Sequence, residues 1–353
     1  MERALAGPAV DRNRLQAVAE VAEQAVQSGG HPTAVVAVAN REETVWTHVL
    51  PGADGASEDS IYLIASITKP ITATALMQLV EEGKLLLDVP IVAYLPEFGQ
   101  IGKETVTARH LLTHTSGMEE EAFWERLHET GATHAEVFEA ACGSWLHFQP
   151  GERCEYCSLS FTVLGELIAR LTGRPYPEYM RERIFAPLGM DSTAFEPVDA
   201  SRAMPVHNTT GASQIEAFTR MAIPGGGLWS TVGDLVAFGQ VFLRGGASHG
   251  YRLLGPAALE MMTRYHTAGL HQLYEGRPEP FNYGLGWSKL MPERESGLLG
   301  SKRSYGHGGV TGTFLWIDPE WDLVFVYLTN SWGVEGNTAA RMLNAVYGSL
   351  SLH

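Results

Sequence analysis

Residues 65–85 read ASITKPITATALMQLVEEGKL. The residues from Ile71 onward are strongly helical in character, and Pro70 fits best in a first turn, where a missing N–H costs little. A helix is therefore expected to begin near Ser66. Ser66 and Lys69 are then i and i+3 on one face, with Cβ atoms roughly 5–6 Å apart. The start of such a helix offers unpaired N–H groups and a partial positive charge to a developing oxyanion. A serine there is a candidate nucleophile. Lys69 is its candidate base, provided burial and neighbours depress its pKa. S-x-x-K alone is short enough to match by chance, and the competing reading is an N-cap serine followed by a surface lysine.

Outward from this stretch, strands flank a helical block. Residues 15–30, LQAVAEVAEQAVQSGG, have helical spacing and end in C-capping glycines. TAVVAVAN (33–40) and TVWTHVL (44–50) predict a hairpin turned by the polar residues between them. Residues 90–200 read mostly as helix and loop, including SLSFTVLGELIARLTG (158–173). A helix over 232–246 starts at Thr231-x-x-Asp234, a capping-box-like pair with Asp in place of Glu. YGLGWSKL (283–290), GTFLWIDP (312–319) and LVFVYLTN (323–330) are β-rich, with Pro319-Glu320 in the last turn, and 337–350 closes as a helix. The simplest architecture is of mixed α/β (α+β) type, with the N- and C-terminal strands in one central antiparallel sheet flanked by helices. The expected division is a discontinuous sheet domain (1–88 and 225–353) with a mainly helical domain (89–224) inserted, and a ligand cleft between them.

With 353 residues, 45% of them hydrophobic and 18% charged, the chain has ample material for a core without disulfide or metal staples. Its net charge of −15 makes nucleic acid and anionic membrane poor partners. No apolar run approaches a membrane span, and the charged start lacks a leader-like apolar region, so a cytoplasmic protein is expected. Cys142, Cys154 and Cys157 are too few for a disulfide framework, and Cys154-x-x-Cys157 lacks a second ligand pair, so structural cysteines are expected.

Two further motifs could carry chemistry. In PGERCEYCS (150–158) a turn leads into a helix start. Tyr156 could shuttle a proton with Lys69, and Ser158 could add a hydroxyl; the alternative is a packing tyrosine and an N-cap serine. In SYGHGGVTGTFLW (304–316), Gly308 and Gly309 let a substrate approach a strand edge, and the Val310 N–H could pair with that of Ser66 as an oxyanion hole. The alternative there is a bulge or turn with no ligand.

Ser66-Ile-Thr-Lys69, Tyr156-Cys-Ser158 and His307-Gly-Gly309, in that order, resemble the three motifs of the serine β-lactamase-like superfamily. That superfamily holds class C β-lactamases, D,D-peptidases and family VIII carboxylesterases. HLLTHTSGM (110–118), PLGM (187–190), GGGLWSTVGDLVAFG (225–239) and YGLGW (283–287) are similar too, so the resemblance covers roughly residues 30–350. It implies a mixed α/β domain plus a helical domain, with Ser66 acylated, Lys69 and Tyr156 as base and proton relay, and the Ser66 and Val310 N–H groups as the oxyanion hole. Ser158, His307, Gly308 and Gly309 would contact substrate. Ser158 stands where the β-lactamases have Asn, and His307 where they and the D,D-peptidases have Lys. A free His has a pKa of about 6.5 and is mostly neutral at pH 7. A substrate carboxylate should bind less well, which points to a small uncharged ester or other acyl substrate. The expected activity is that of a serine hydrolase, a carboxylesterase with room for weak β-lactam turnover, before a β-lactamase, D,D-peptidase, D-aminopeptidase or acyltransferase. No cofactor or metal is expected, and the partner is a small ester or amide.

Other readings compete. His110 and His114 stand at i and i+4, the spacing of zinc hydrolases, but Leu111 occupies the place of their glutamate. A non-catalytic ligand-binding relative is opposed by the presence of Ser66, Lys69 and Tyr156 together. GASHG (246–250) matches G-x-S-x-G, yet it follows a helix and precedes none, so Ser248 is expected to be a solvent-facing turn residue. Trp124, Trp145, Trp229 and Trp287 are either pocket walls or core.

Overall fold

The computed structural model describes residues 9–120, 132–209, 212–274, 276–289, 298–334 and 337–351. In chain order, α1 (Gln16–Gln27) leads into β1 (Ala34–Ala39), β2 (Thr44–Leu50) and the short β3 (Tyr62–Leu63). A 3₁₀ turn over Ala65–Ile67 then runs directly into α2 (Thr68–Glu81). The helical stretch carries α3 (Ala108–Leu112), α4 (His134–Gly143), α5 (Leu159–Thr172) and α6 (Ala212–Arg220). After it come β4 (Trp229–Ser230), α7 (Val232–Leu243) and α8 (Pro256–Thr263). Then β5 (Ser288–Lys289), β6 (Tyr305–Gly308), β7 (Phe314–Asp318) and β8 (Leu323–Leu328) precede α9 (Thr338–Gly348).

Six strands form one antiparallel sheet in the order β5-β6-β7-β8-β1-β2. The first hairpin and the last meander thus meet at the β8–β1 pair, with Leu328 opposite Val35 and Val324 opposite Ala39. The run AVVAVA of β1 is apolar throughout because both its faces are buried. Val36 and Val38 point into a core shared with α1 and α9, through Val18, Ala22, Met342 and Leu343. Val35 and Ala37 point the other way, into a core that reaches Leu76, Phe238 and Leu164. No strand of this sheet comes from the described residues of 89–224, yet α4 and α5 share the larger core with the sheet.

Some expectations need correction. YGLGWSKL is strand only at Ser288–Lys289, with a single bridge back to Tyr283. The Thr231–Asp234 pair makes half a capping box: Thr231 Oγ1 accepts from the Asp234 N–H, while the Asp234 carboxylate accepts from the Ser192 N–H and the Thr193 hydroxyl. Ser248 is buried in a small hairpin, where its Oγ accepts from Arg244, so it is not solvent-facing. The three cysteines are free and buried.

Candidate active site

Ser66 lies in the 3₁₀ turn ahead of α2, and the backbone before it is held by two hydrogen bonds. Thr311 Oγ1 donates to the Leu63 carbonyl and Thr313 Oγ1 to the Ile64 carbonyl, so the β6–β7 connection grips the backbone before Ser66. Gly309 makes this approach possible. A Cβ there would stand 2.2 Å from Thr313 Oγ1 and 2.5 Å from the Ile64 oxygen. Ala65 takes a left-handed φ of 46°, a conformation that costs a non-glycine residue energy and clusters at functional sites.

Lys69 sits one turn later, with no exposed surface. Its Nζ is 3.2 Å from Ser66 Oγ, 3.3 Å from Ser158 Oγ and 2.8 Å from the Gly225 carbonyl. A Cβ at Gly225 would crowd the Phe161 Cβ at 3.0 Å and touch Nζ at 3.4 Å. Burial lowers the Lys69 pKa to about 8, although the Glu120 carboxylate pulls the other way. The Nζ also lies 4.7 Å from the centre of the Tyr156 ring. Burial raises the Tyr156 pKa, with hydrogen bonding to Ser66 opposing it, so the phenol stays protonated. The pair is therefore divided: the amine can lose its proton near neutral pH and the phenol keeps its own. A neutral Lys69 can donate to Gly225 and Ser158 and accept from Ser66, which is the geometry of a general base.

A cavity of about 300 Å³ opens on this pair. Ser66, Tyr156, Ser158 and Val310 line it, as do Glu120, Phe218, Ile223 and Gly226. Among the described residues, neither the Ser66 nor the Val310 N–H donates to a protein acceptor. Ser158 is the N-cap residue of α5, but its hydroxyl turns to Lys69 instead of capping.

Glu120 has no counterpart in the sequence reading. Its carboxylate accepts from the Ser158 and Leu159 N–H groups at the start of α5, where a negative charge is favoured. Burial still raises its pKa. The only hint in the sequence is a run of glutamates after GM (117–118), which nothing local distinguishes from a solvated surface.

His307, Gly308 and Gly309 stand behind the cavity and are not among its lining residues. His307 is buried, and its pKa is pushed down to about 3 by burial and by Lys69. Its Nδ1–H donates to the Gly308 carbonyl at 2.7 Å, and its Nε2 accepts from the Tyr283 hydroxyl at 2.6 Å. Both nitrogens are thus used within the protein. His114 stacks on Tyr156 at 4.3 Å, and its Nδ1 accepts from the Cys157 N–H. It lies past the end of α3 with a φ of 58°, so it does not share a helix face with His110. His110 Nδ1 accepts from the Thr107 N–H. Among the described residues no group of His, Cys, Asp or Glu is arranged to hold a metal ion. Trp229 and Trp287 are buried core, Trp145 is exposed, and Trp124 lies outside the described residues.

Half-buried Ser66 and fully buried Lys69 thus meet at the head of a helix, under an antiparallel sheet with helices packed on it, an arrangement that suits a serine hydrolase. The chain belongs to the beta-lactamase family, whose profile matches residues 18–348. It is 29% identical over 313 residues to protein Rv1367c of Mycobacterium tuberculosis, covering 76% of this chain and 77% of that one. It is 28% identical over 316 residues to a putative D-alanyl-D-alanine carboxypeptidase of Escherichia coli, covering 78% and 70%. Its fold matches that of EstCE1, described as a hydrolase with promiscuous acyltransferase activity. That match has a TM-score of 0.82 at 22% identity and covers 96% and 99% of the two chains. Among the described residues no helix is long and apolar enough to cross a membrane.

Proposed function

We propose that this hydrolase works through an acyl-enzyme on Ser66, as a carboxylesterase of small uncharged esters. The observation that carries the reading is the buried Lys69, its pKa lowered to about 8, with Nζ 3.2 Å from Ser66 Oγ. Neutral Lys69 takes the Ser66 proton as Oγ attacks the substrate carbonyl. The oxyanion is held by the N–H groups of Ser66 and Val310; losing one such donor costs on the order of 10²–10³ in rate. As the alcohol leaves, it takes a proton from Lys69 or from Tyr156, which is then refilled. Water, or a second alcohol, attacks the acyl-enzyme and gives its proton back through the same pair, whose titrations are coupled. Ser158 holds Lys69 in place, and His307 and Gly308 stiffen the strand that presents Val310.

The ester preference rests on charge. Among the described residues the cavity wall carries Glu120 and no lysine or arginine, and His307 is neutral and internally bonded. Apart from Lys69 behind Ser66, a substrate carboxylate meets no cation on the described part of that wall. Cleavage of D-alanyl amides is the second reading, supported by the name of the Escherichia coli relative. The test is a fluorophosphonate adduct read by mass spectrometry, with rates for short p-nitrophenyl esters, a chromogenic cephalosporin and a D-amino-acid amide. An adduct on wild type and none on folded Ser66→Ala is expected, with the esters fastest. A Ser66→Ala protein that still turns over ester would overturn the mechanism.

A further inference from the structure

A second cavity, of about 600 Å³, shares no lining residue with the one at Ser66. It lies between the end of α7, helix α8 and the β5–β6 edge of the sheet. Among the described residues, Arg41, Arg264, Lys289, Lys302 and Arg303 line it, against the single acid Glu260. A fifth of the chain's 25 lysines and arginines thus face one cavity, in a protein of net charge −15. Clustered like charges repel one another, and a cluster kept on an acidic protein calls for a negative partner.

The protein supplies little of that partner itself. Arg41 is paired with Asp322 at 2.9 Å. Among the described residues, Arg264, Lys302 and Arg303 form no ion pair. Lys289 is only 4% exposed, and its Nζ has one hydrogen bond, a long 3.4 Å contact to the Arg303 carbonyl. The rings of Tyr265 and Tyr305 flank it, each 5.1 Å away. Asp318 acts on it from a distance, but the Asp318 oxygens already accept from Ser301 and Tyr347. A buried ammonium so poorly matched is costly unless something completes it. The volume lies within the ordinary range of small-molecule sites, and arginine forks match phosphate and carboxylate oxygens. Phe242, Leu259 and Pro256 add an apolar wall beside the cations.

We propose that this cavity is a second ligand site that takes a small organic dianion, with its apolar part on the α7–α8 wall and its charges on Arg264, Lys289, Lys302 and Arg303. A phosphate monoester and a dicarboxylate share that chemistry. The experiment is calorimetric titration of the full chain with 1-naphthyl phosphate, with naphthalene-2,6-dicarboxylate and with uncharged 1-naphthol, at low and at high salt. Saturable binding of one or both anions, weakened by salt, is expected, and the two arms decide between phosphate and carboxylate. The exposed double variant Lys302→Gln/Arg303→Gln should bind about tenfold or more weakly, a loss of about 1.4 kcal/mol or more. Its melting temperature serves as the check on folding, and Ser66→Ala should bind as wild type does. Equal binding of 1-naphthol, no anion binding at all, or full affinity in the double variant would each overturn the proposal.

Discussion

Gly309 marks how little room surrounds the candidate nucleophile. An alanine there would push Thr313 or the Ile64 carbonyl away, and with them the backbone that sets Ser66. Gly309→Ala is expected to lower kcat/KM by about 10²-fold, the usual effect of misplacing reacting groups by about 1 Å. Steady-state rates on a p-nitrophenyl ester check this, and unchanged rates would show that the turn tolerates the shift. Lys69 gives a second expectation. The neutral amine is the active form and its pKa is lowered to about 8, so kcat/KM for an uncharged ester should rise as pH passes through that region and level off above it. Glu120 favours the charged amine, so Glu120→Gln should move the rise to lower pH; a profile moved to higher pH would contradict this charge coupling. The serine–lysine spacing was legible because one helical turn brings the two together. Glu120 was not, because its place depends on a loop meeting the start of α5, 38 residues further along the chain.

Helix ends tell the same story one level up. The start of α7 was readable because Thr231 is a good N-cap, and its Oγ1 does accept from the Asp234 N–H. Thr231→Ala should cost about 1 kcal/mol of stability and leave kcat unchanged, as denaturant unfolding and rates would show. A loss of kcat at full stability would instead place Thr231 in the chemistry. The end of α3 was less readable. The pairing of His110 with His114 assumed one continuous helix, but α3 stops at Leu112 and the chain turns at His114 to meet Cys157. Ser248 was misjudged for a similar reason. A glycine-rich stretch reads as an open turn, whereas the hairpin folds back under Arg244. Ser248 does not line the cavity at Ser66, so Ser248→Ala should keep full activity and lose about 1 kcal/mol at most.

The whole molecule joins two ends of its sequence. The sheet was legible because β1, β2, β7 and β8 are uninterrupted β-rich runs, and a strand buried on both faces has no polar positions to confuse it. That the N- and C-terminal strands share one sheet followed from economy, whereas the pair that joins them, β8 with β1, is seen only in the fold. The molecule's charge also shapes its choice of substrate. With Glu120 on the cavity wall and a net charge of −15, an anionic cephalosporin should react more slowly than a neutral ester of similar reactivity. Added salt should narrow that gap by screening the long-range part; a faster cephalosporin at low salt would reverse the reading. The join between β1 and β8 also sets a timetable for synthesis. A ribosome adds about 5–20 residues per second, so β1 emerges tens of seconds before the strand that covers its inner edge. During that interval AVVAVA, uncharged and free of proline, is a segment prone to stick to other chains. Chains halted before residue 323 should therefore aggregate rather than wait, and the nascent protein depends on holding that one strand apart until its last partner arrives.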